Sequence, residues 1–242
     1  MSKIKPRERT RILKSLKIGV VPSQGIHHLH VGRNEEVKAI IKDLEDLTEG
    51  INCFRLFIGN YGSGKTFLLS LAREIAHQKN LCVCRADLAP EKRLFSSKGH
   101  AKTLYSELVR QLSNKLKPQG DALQSIIEKI LTNSTVNELV EKFEKINENS
   151  LGFDFYNVLL IYKKSLSSGD SYKRTAALRW IKGEYSSKSD AYKDLNIRTI
   201  INDSNYYDAL KIVAEIVKIA GYSGLLIHID EMVNILRISH TQ

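Results

Sequence analysis

A glycine-rich stretch ending in Gly-Lys-Thr is the feature that most restricts how this chain can fold. Its residues match the phosphate-binding pattern G-x-x-x-x-G-K-T of the P-loop, and they are Gly59, Asn60, Tyr61, Gly62, Ser63, Gly64, Lys65 and Thr66. The residues before the motif, Cys53 to Ile58, form an apolar run of strand length, and those from Phe67 onward have helical periodicity. Because the motif is meaningful between a strand and a helix, the sequence predicts a phosphate cradle here.

The chemistry of such a loop follows from its backbone. Glycines allow the chain to curl so that successive N–H groups face one anion, and the dipole of the following helix adds positive potential. In this arrangement Lys65 is expected to reach the β- and γ-phosphates of ATP, and the Thr66 hydroxyl is expected to ligate Mg²⁺. We count Phe67, at the opening of the helix, among the nucleotide-binding residues.

An acidic pair near the other end of the chain complements the loop. The apolar strand from Gly224 to Ile229 ends in Asp230 and Glu231, which is typical of a Walker B segment. Asp230 is expected to hold Mg²⁺, and Glu231 to polarise the attacking water as a catalytic residue together with Lys65. Two consecutive acids favour an ATP-hydrolysing protein of the AAA+ type over a small-molecule kinase. We interpret His228, within the strand, as structural.

Charge and composition narrow the class of partner. The net charge is +10, with seven Lys/Arg against one Glu in residues 1–17 and nine against four acids in residues 161–200. Basic charge gathered in two places suggests a polyanion, most simply DNA, although solvated basic helix faces would read the same way. No apolar run approaches the length of a membrane span and no secretory signal is evident, so we expect a cytoplasmic protein without membrane contact. Its three cysteines, Cys53, Cys82 and Cys84, are predicted to be reduced and buried in strands.

The order of the elements predicts an α/β protein, specifically an AAA+-like P-loop NTPase with a three-layer parallel sheet, a large all-helical insertion and an incomplete sheet. We divide it into an N-terminal basic helix and adenine-side segment (1–48), a P-loop core (49–98), a helical insertion (99–203) and a helix with the Walker B strand (204–242).

A second strand is predicted at 81–88, and Asp87 at its end is interpreted as a strand cap or a neighbour of the nucleotide. Further helices are predicted at 3–17, 34–47, 100–116, 121–131, 135–146, 153–166, 171–182 and 206–220, and Ser186 to Asp190 is predicted to be exposed.

A histidine-rich segment precedes the second of these helices. His27, His28 and His30 invite a metal interpretation, but their spacing is poor for one centre and no carboxylate or thiol cluster adjoins them in sequence, so we disfavour a metal. The turn that follows contains Gly32 and Arg33. It resembles the segment in which many AAA+-type ATPases hold the adenine base, so both residues are candidate nucleotide contacts.

Several stretches together resemble the BrxD-like ATP-binding proteins of bacterial BREX phage-defence systems, which are P-loop proteins related to AAA+ and origin-recognition ATPases. The resemblance covers essentially the whole chain and is carried by the P-loop, the Walker B strand and the stretches 21–26, 31–33, 177–185 and 198–207. It implies ATP and Mg²⁺ binding, hydrolysis, and work on or near DNA with other defence-system proteins. A homo-oligomer is a further candidate assembly.

The resemblance departs from the AAA+ pattern after Glu231. Such ATPases continue with a sensor strand, a further strand and a helical lid with arginines, which residues 232–242 are too few to form. We therefore expect a chain truncated after Walker B, an incomplete sheet and very weak ATPase activity. The leading hypothesis is an Mg²⁺-dependent ATPase that acts as a motor or switch in a DNA-directed defence complex. The alternative is a nucleotide-gated scaffold with little hydrolysis, whose helical insertion binds partners.

Overall fold

The computed structural model describes residues 4–22, 25–95, 98–133 and 150–233 of the 242-residue chain. Its elements are, in chain order, α1 (Pro6–Lys17), a short 3-10 helix (Ile26–His28), α2 (Asn34–Thr48), α3 (Lys65–Gln78), β1 (Cys82–Asp87), α4 (His100–Arg110), α5 (Leu123–Asn133), α6 (Ser150–Ser168), α7 (Ser171–Ile181), α8 (Lys188–Leu195), α9 (Tyr206–Ile219) and β2 (Leu225–Asp230). The helix predicted at 135–146 lies outside the described residues, as does the end of the chain from residue 234.

The described strands form one small parallel sheet. β1 pairs with β2 in a register that runs from Cys82 opposite Leu225 to Asp87 opposite Asp230. The residues of β1 alternate between two apolar clusters. Cys82, Cys84 and Ala86 belong to a large cluster with the later helices. Val83 belongs to a smaller cluster with α2 and α3. The mixed α/β character is confirmed, and both strands lie at their predicted positions.

The prediction of a strand before the P-loop is wrong. Residues 51–60 have no regular secondary structure, and Cys53, predicted to be buried, is exposed. A strand persists only when its backbone groups pair with a neighbour, and no described residue gives this segment such a ladder. It is held instead by side chains. Phe57 packs against the smaller cluster, and the Arg55 guanidinium binds the Asp43 carboxylate of α2 through two hydrogen bonds, of which Nη2 to Oδ1 is 2.8 Å.

The later helices enclose most of the buried apolar surface. Trp180 of α7 is almost fully buried, its ring meets Phe155 of α6 edge to face at 5.0 Å, and its Nε1 donates to the Thr199 carbonyl at 2.9 Å. Tyr185 is also buried, and its hydroxyl donates to Asp194 at 2.7 Å. Aromatic side chains among basic residues can stack on bases, but these two lie in the core and act as packing residues. Tyr172 and Tyr192 remain exposed.

The structure differs from the sequence prediction at the end of α4 and in an additional helix, α8, and both differences have identifiable reasons. α4 ends at Arg110 rather than near residue 116, because the chain leaves the helix so that Ser113 pairs with Val83 of β1 through backbone hydrogen bonds of 2.8 and 2.9 Å. The Asn114 side chain then accepts from the amides of Leu116 and Lys117 and forms a turn. Helix α8 begins inside the polar stretch for which only exposure was predicted. Ser187 caps it by accepting from the Asp190 amide at 3.3 Å.

The basic N-terminal helix is present as α1, with Pro6 in its first turn. Of its apolar residues, Ile12 is buried, whereas Leu13 and Leu16 are each 47% exposed. None of the helices in the described ranges is both long and apolar enough to cross a membrane.

A buried histidine should make the fold sensitive to acid. His77 of α3 lies 3.2 Å from the Ser113 hydroxyl, which itself donates to the Val83 carbonyl, so the oxygen accepts from the neutral ring. Burial, reinforced by the nearby Arg73, lowers the pKa of His77 to about 4. The unfolded chain, with a histidine pKa of about 6.5, therefore binds more protons between these values, and stability falls as the pH falls through this window.

We expect His77→Gln to reduce that acid sensitivity. The contribution of His77 is at most about 1.4 kcal/mol per pH unit between pH 6.5 and 4. Urea unfolding of both proteins at pH 7 and pH 5 measures it, and the loss of unfolding free energy should be smaller in the variant. Equal losses in the two proteins would show that His77 is not a source of the acid sensitivity.

Candidate functional site

The glycines of the P-loop motif are required by the shape of the loop. Gly62 and Gly64 have φ angles of +77° and +84°, which disfavour any residue with a Cβ. A Cβ at Gly59 would come within 2.6 Å of the Ser63 Oγ, since the loop curls tightly back on itself. The Ser63 amide closes the turn by donating to the Asn60 carbonyl at 3.1 Å. The loop is therefore compact before any ligand is considered.

The motif leads directly into α3. The helix begins at Lys65, so the amides of its first turn, those of Thr66 and Phe67 among them, lack carbonyl partners within the helix. The Lys65 ammonium bends back over the loop and donates to the carbonyls of Gly59 and Asn60, each at 3.0 Å. The helix dipole and this cation concentrate positive potential at one place. Tyr61, at the tip of the loop, is fully exposed.

The predicted metal-binding residues from the two ends of the chain meet. The Thr66 hydroxyl donates to Oδ2 of Asp230 at 2.8 Å, across 164 residues of sequence. Thr66 lies in the first turn of α3 and Asp230 is the last residue of β2. The hydrogen bond therefore joins the phosphate-binding loop to the acidic end of the sheet.

Glu231 has an unusual backbone. Its φ is +56°, a left-handed conformation that costs a residue with a Cβ roughly 1 kcal/mol or more. Its amide donates to Oδ1 of Asp230 at 2.8 Å, and its side chain is exposed. The chain thus turns sharply after Asp230, and the second acid of the pair is presented to solvent next to the first.

Arg33 is also brought to the loop. Its Nη2 donates to the carbonyl of Ser63, and a Cβ placed on Gly64 would meet that nitrogen at 3.2 Å. Gly32 precedes it with a φ of +75°. The guanidinium therefore lies against the backbone of the phosphate loop. Contact of Gly32 and Arg33 with adenine stays a prediction.

A narrow cavity beside Thr66 is lined in part by residues that the sequence analysis did not single out for the site. Thr66, Ser70 and Arg73 follow one face of α3 at i, i+4 and i+7, a spacing that would have identified the last two. From the sheet, the cavity is lined by Arg85, Ala86, Asp87, His228 and Asp230. Because register places Asp87 opposite Asp230, two carboxylates stand at the same edge of the sheet.

The electrostatics of this cavity favour the neutral form of its histidine. His228 is buried, and desolvation together with the nearby Arg73 lowers its pKa to about 4. Burial and the neighbouring Arg85 lower the pKa of Arg73 as well. The lining therefore contains the buried guanidinium of Arg73 and the exposed guanidinium of Arg85, together with the carboxylates of Asp87 and Asp230 and the Thr66 hydroxyl. Carboxylate and hydroxyl oxygens are the donors that Mg²⁺ prefers, so the oxygens of Thr66 and Asp230 fit the ion.

The hydrogen bond between Thr66 and Asp230 should be measurable as coupling. In a cycle with Thr66→Val and Asp230→Ala, we expect a coupling free energy of unfolding of about 0.5–1 kcal/mol, the range for a partly exposed hydrogen bond to a charged group. Urea unfolding without nucleotide or Mg²⁺ gives the values. The control cycle pairs Thr66→Val with Asp87→Ala in the same cavity and should be additive. Equal coupling in both cycles would contradict a specific bond.

Comparisons with known proteins identify the family. A search of curated proteins and a search of solved structures each gave no match. A family model described as BREX system ATP-binding protein BrxC/D matches residues 4–242, which include the phosphate loop, the meeting of Thr66 with Asp230 and the helices between them. The chain belongs to the BrxC/D family of BREX system ATP-binding proteins.

Proposed function

We propose that this protein is an Mg²⁺-dependent ATPase that acts as a motor or switch in a DNA-directed phage-defence complex. The observation that carries the proposal is the 2.8 Å hydrogen bond from Thr66 to Asp230, because it places a hydroxyl and a carboxylate at the mouth of a glycine loop. The family description supports ATP as the ligand and BREX phage defence as the setting.

Each residue would have a distinct role. The amides of the loop and of the first turn of α3 would bind phosphate oxygens, and Lys65 would exchange its carbonyl partners for the β- and γ-phosphates. Thr66 and Asp230 would hold Mg²⁺, which supplies charge neutralisation at the phosphates. Glu231 would orient the attacking water and accept its proton. Arg33, already at the loop, would add a second cation beside Lys65.

The finer assignment of the fold belongs to the same proposal. Apolar clusters on both sides of the β1–β2 pair support an AAA+-like layered core. Residues 99–203 would be its helical insertion and would contact partners, including other defence-system proteins or further copies of the chain. The cytoplasm, where reduced thiols such as Cys82 and Cys84 are usual, is the setting we propose.

Two variants separate hydrolysis from binding. We expect Lys65→Ala to abolish ATP binding, because the phosphates lose their cation, and Glu231→Gln to retain bound ATP, because only proton acceptance is removed. Binding of a fluorescent ATP analogue and retention of radiolabelled ATP with Mg²⁺ measure both effects. Lys79→Ala, which removes a lysine just beyond the other end of α3, is the matched control and should bind as wild type.

These variants also distinguish the alternative. In a nucleotide-gated scaffold, phage protection by the BREX system would survive Glu231→Gln but not Lys65→Ala. In an ATPase, protection would be lost with either variant. Normal ATP binding by Lys65→Ala would contradict both functions, since each requires the phosphate loop to be occupied.

A basic cleft supports the DNA-directed part of the proposal. It lies between α4 and the residues at the end of α7, and its volume is about 600 Å³. Arg110 and Arg179 both pair with Glu184, at 3.4 and 4.0 Å, and keep roughly half of their side-chain surface exposed. Lys98 and Lys102 complete its cationic lining. Positive side chains gathered in a concave surface attract a phosphate backbone.

We expect DNA binding by this cleft to weaken steeply with salt. Charge loss in Lys98→Gln with Arg110→Gln should lower the slope of log affinity against log salt by about 1 for each phosphate contact removed. Fluorescence anisotropy of a labelled duplex, with ATP and Mg²⁺ present, gives the slope. Lys211→Gln with Lys218→Gln on α9 removes the same charge elsewhere and should leave it unchanged. Equal slopes in all three proteins would exclude the cleft as the DNA site.

A further inference from the structure

The N-terminal segment brings together two histidines and a carboxylate that are separated in sequence. One ligand atom from each of Glu8, His27 and His28 lies within 4.8 Å of the other two. Glu8 belongs to α1, and the histidines belong to the short 3-10 helix. The Nε2 of His28 is 3.8 Å from Oε1 of Glu8. The carboxylate that the sequence analysis did not find beside the histidines is therefore supplied by the preceding helix.

Close packing holds the three groups together. A Cβ on Gly25, where φ is +73°, would meet Oε1 of Glu8 at 2.8 Å and the Ile12 side chain at 2.9 Å. The positive φ favours glycine at this position, and the missing Cβ leaves room for the ends of the Glu8 and Ile12 side chains beside the backbone. The two histidine rings are 4.0 Å apart between centroids, and the His28 side chain is only 15% exposed. The carboxylate and the rings are thus brought together by the backbone conformation at Gly25 as well as by the positions of the side chains.

A fourth residue orients one of the histidines. Glu74 of α3 binds Nδ1 of His27 through one carboxylate oxygen, and its other oxygen accepts from the Ile26 amide at 3.0 Å. A carboxylate on one ring nitrogen fixes the tautomer, leaves the lone pair of the other nitrogen for a metal and raises its basicity. Histidines that bind zinc usually have such a partner. This arrangement argues for a ligating role beyond a chance meeting of surface groups.

We propose that Glu8, His27 and His28 bind one Zn²⁺-class divalent cation. Two imidazoles and one carboxylate are a donor set that zinc accepts, with water or another ligand completing the tetrahedron. Glu74 is a positioning residue for His27. The ion would connect α1 and the 3-10 helix to α3, the helix that begins at Lys65. This site does not depend on the proposed ATPase function, because no residue of the phosphate loop contributes to it.

Zinc binding by the full 242-residue chain, free of affinity tag and treated with chelator, tests the proposal. Competition with a chromophoric zinc indicator should show one Zn²⁺ per chain at micromolar or lower concentration. Glu8→Gln and His28→Gln, both near the surface, should each weaken binding at least 10-fold, and Glu74→Gln should weaken it about 10–100-fold. X-ray absorption of the loaded protein should show two imidazole ligands with oxygen donors.

The third histidine provides the control. His30 lies outside the group, so His30→Gln should bind Zn²⁺ as the wild type does. Circular dichroism of each metal-free variant checks that the helices persist. Glu74→Asp, which retains the charge, should recover part of the affinity lost in Glu74→Gln. Binding equal in wild type and His28→Gln, binding lost only in His30→Gln, or no binding below millimolar Zn²⁺ would each overturn the site.

Discussion

The parallel pairing of β1 with β2 is the contact on which the candidate site depends. It joins residues 82–87 to residues 225–230, and closing so long a loop costs chain entropy before any hydrogen bond is gained. Burial supplies the compensation, because the same cluster contains Cys82 and Cys84 of β1 together with residues from the helices that lie between the strands. The intervening helices are therefore part of what brings Asp230 to Thr66.

The register of this pairing determines where the carboxylates of the site lie. Asp87 is opposite Asp230, and both follow apolar residues that fix which face of the strand meets the core. A slip of one residue would turn Asp230 away from α3 and place an apolar side chain of β2 at its position. The hydrogen bond between Thr66 and Asp230 is thus a consequence of strand alternation together with the start of α3 at Lys65. Its length of 2.8 Å is that of an ordinary hydrogen bond, so α3 and β2 lie at the right separation for it.

Local signals in the sequence were sufficient for these elements and insufficient for others. The glycine motif, the helix after it and the acidic strand end have short-range patterns, and the structure has α3, β1 and β2 where they were expected. The apolar run at 53–58 has the composition of a strand, but a strand also needs a neighbour, which local composition does not encode. The helix at Lys188–Leu195 had a signal in the Ser187-x-x-Asp190 cap that was not used.

The residues that sequence reasoning missed are those that tertiary contact alone brings together. Glu8 lies nineteen positions before His27, and nothing in that spacing indicates that α1 folds back over Gly25. Ser70 and Arg73 could have been predicted as site residues from the sequence, since helical periodicity aligns them with Thr66. Trp180 and Tyr185 illustrate the opposite case. Their position among basic residues is compatible with stacking on bases, yet both are buried and each donates a hydrogen bond to an acceptor within the protein.

The N-terminal segment is attached at two points to the element that carries the phosphate loop. Glu74 of α3 binds both the Ile26 amide and His27, and the Ser63 carbonyl accepts from Arg33. These contacts span residues 26–33 on one side and residues 63–74 on the other, so the segment and the loop cannot move independently without breaking them. The phosphate loop and the histidine cluster therefore contact the same helix, because α3 begins at Lys65 of the loop and carries Glu74, which binds His27.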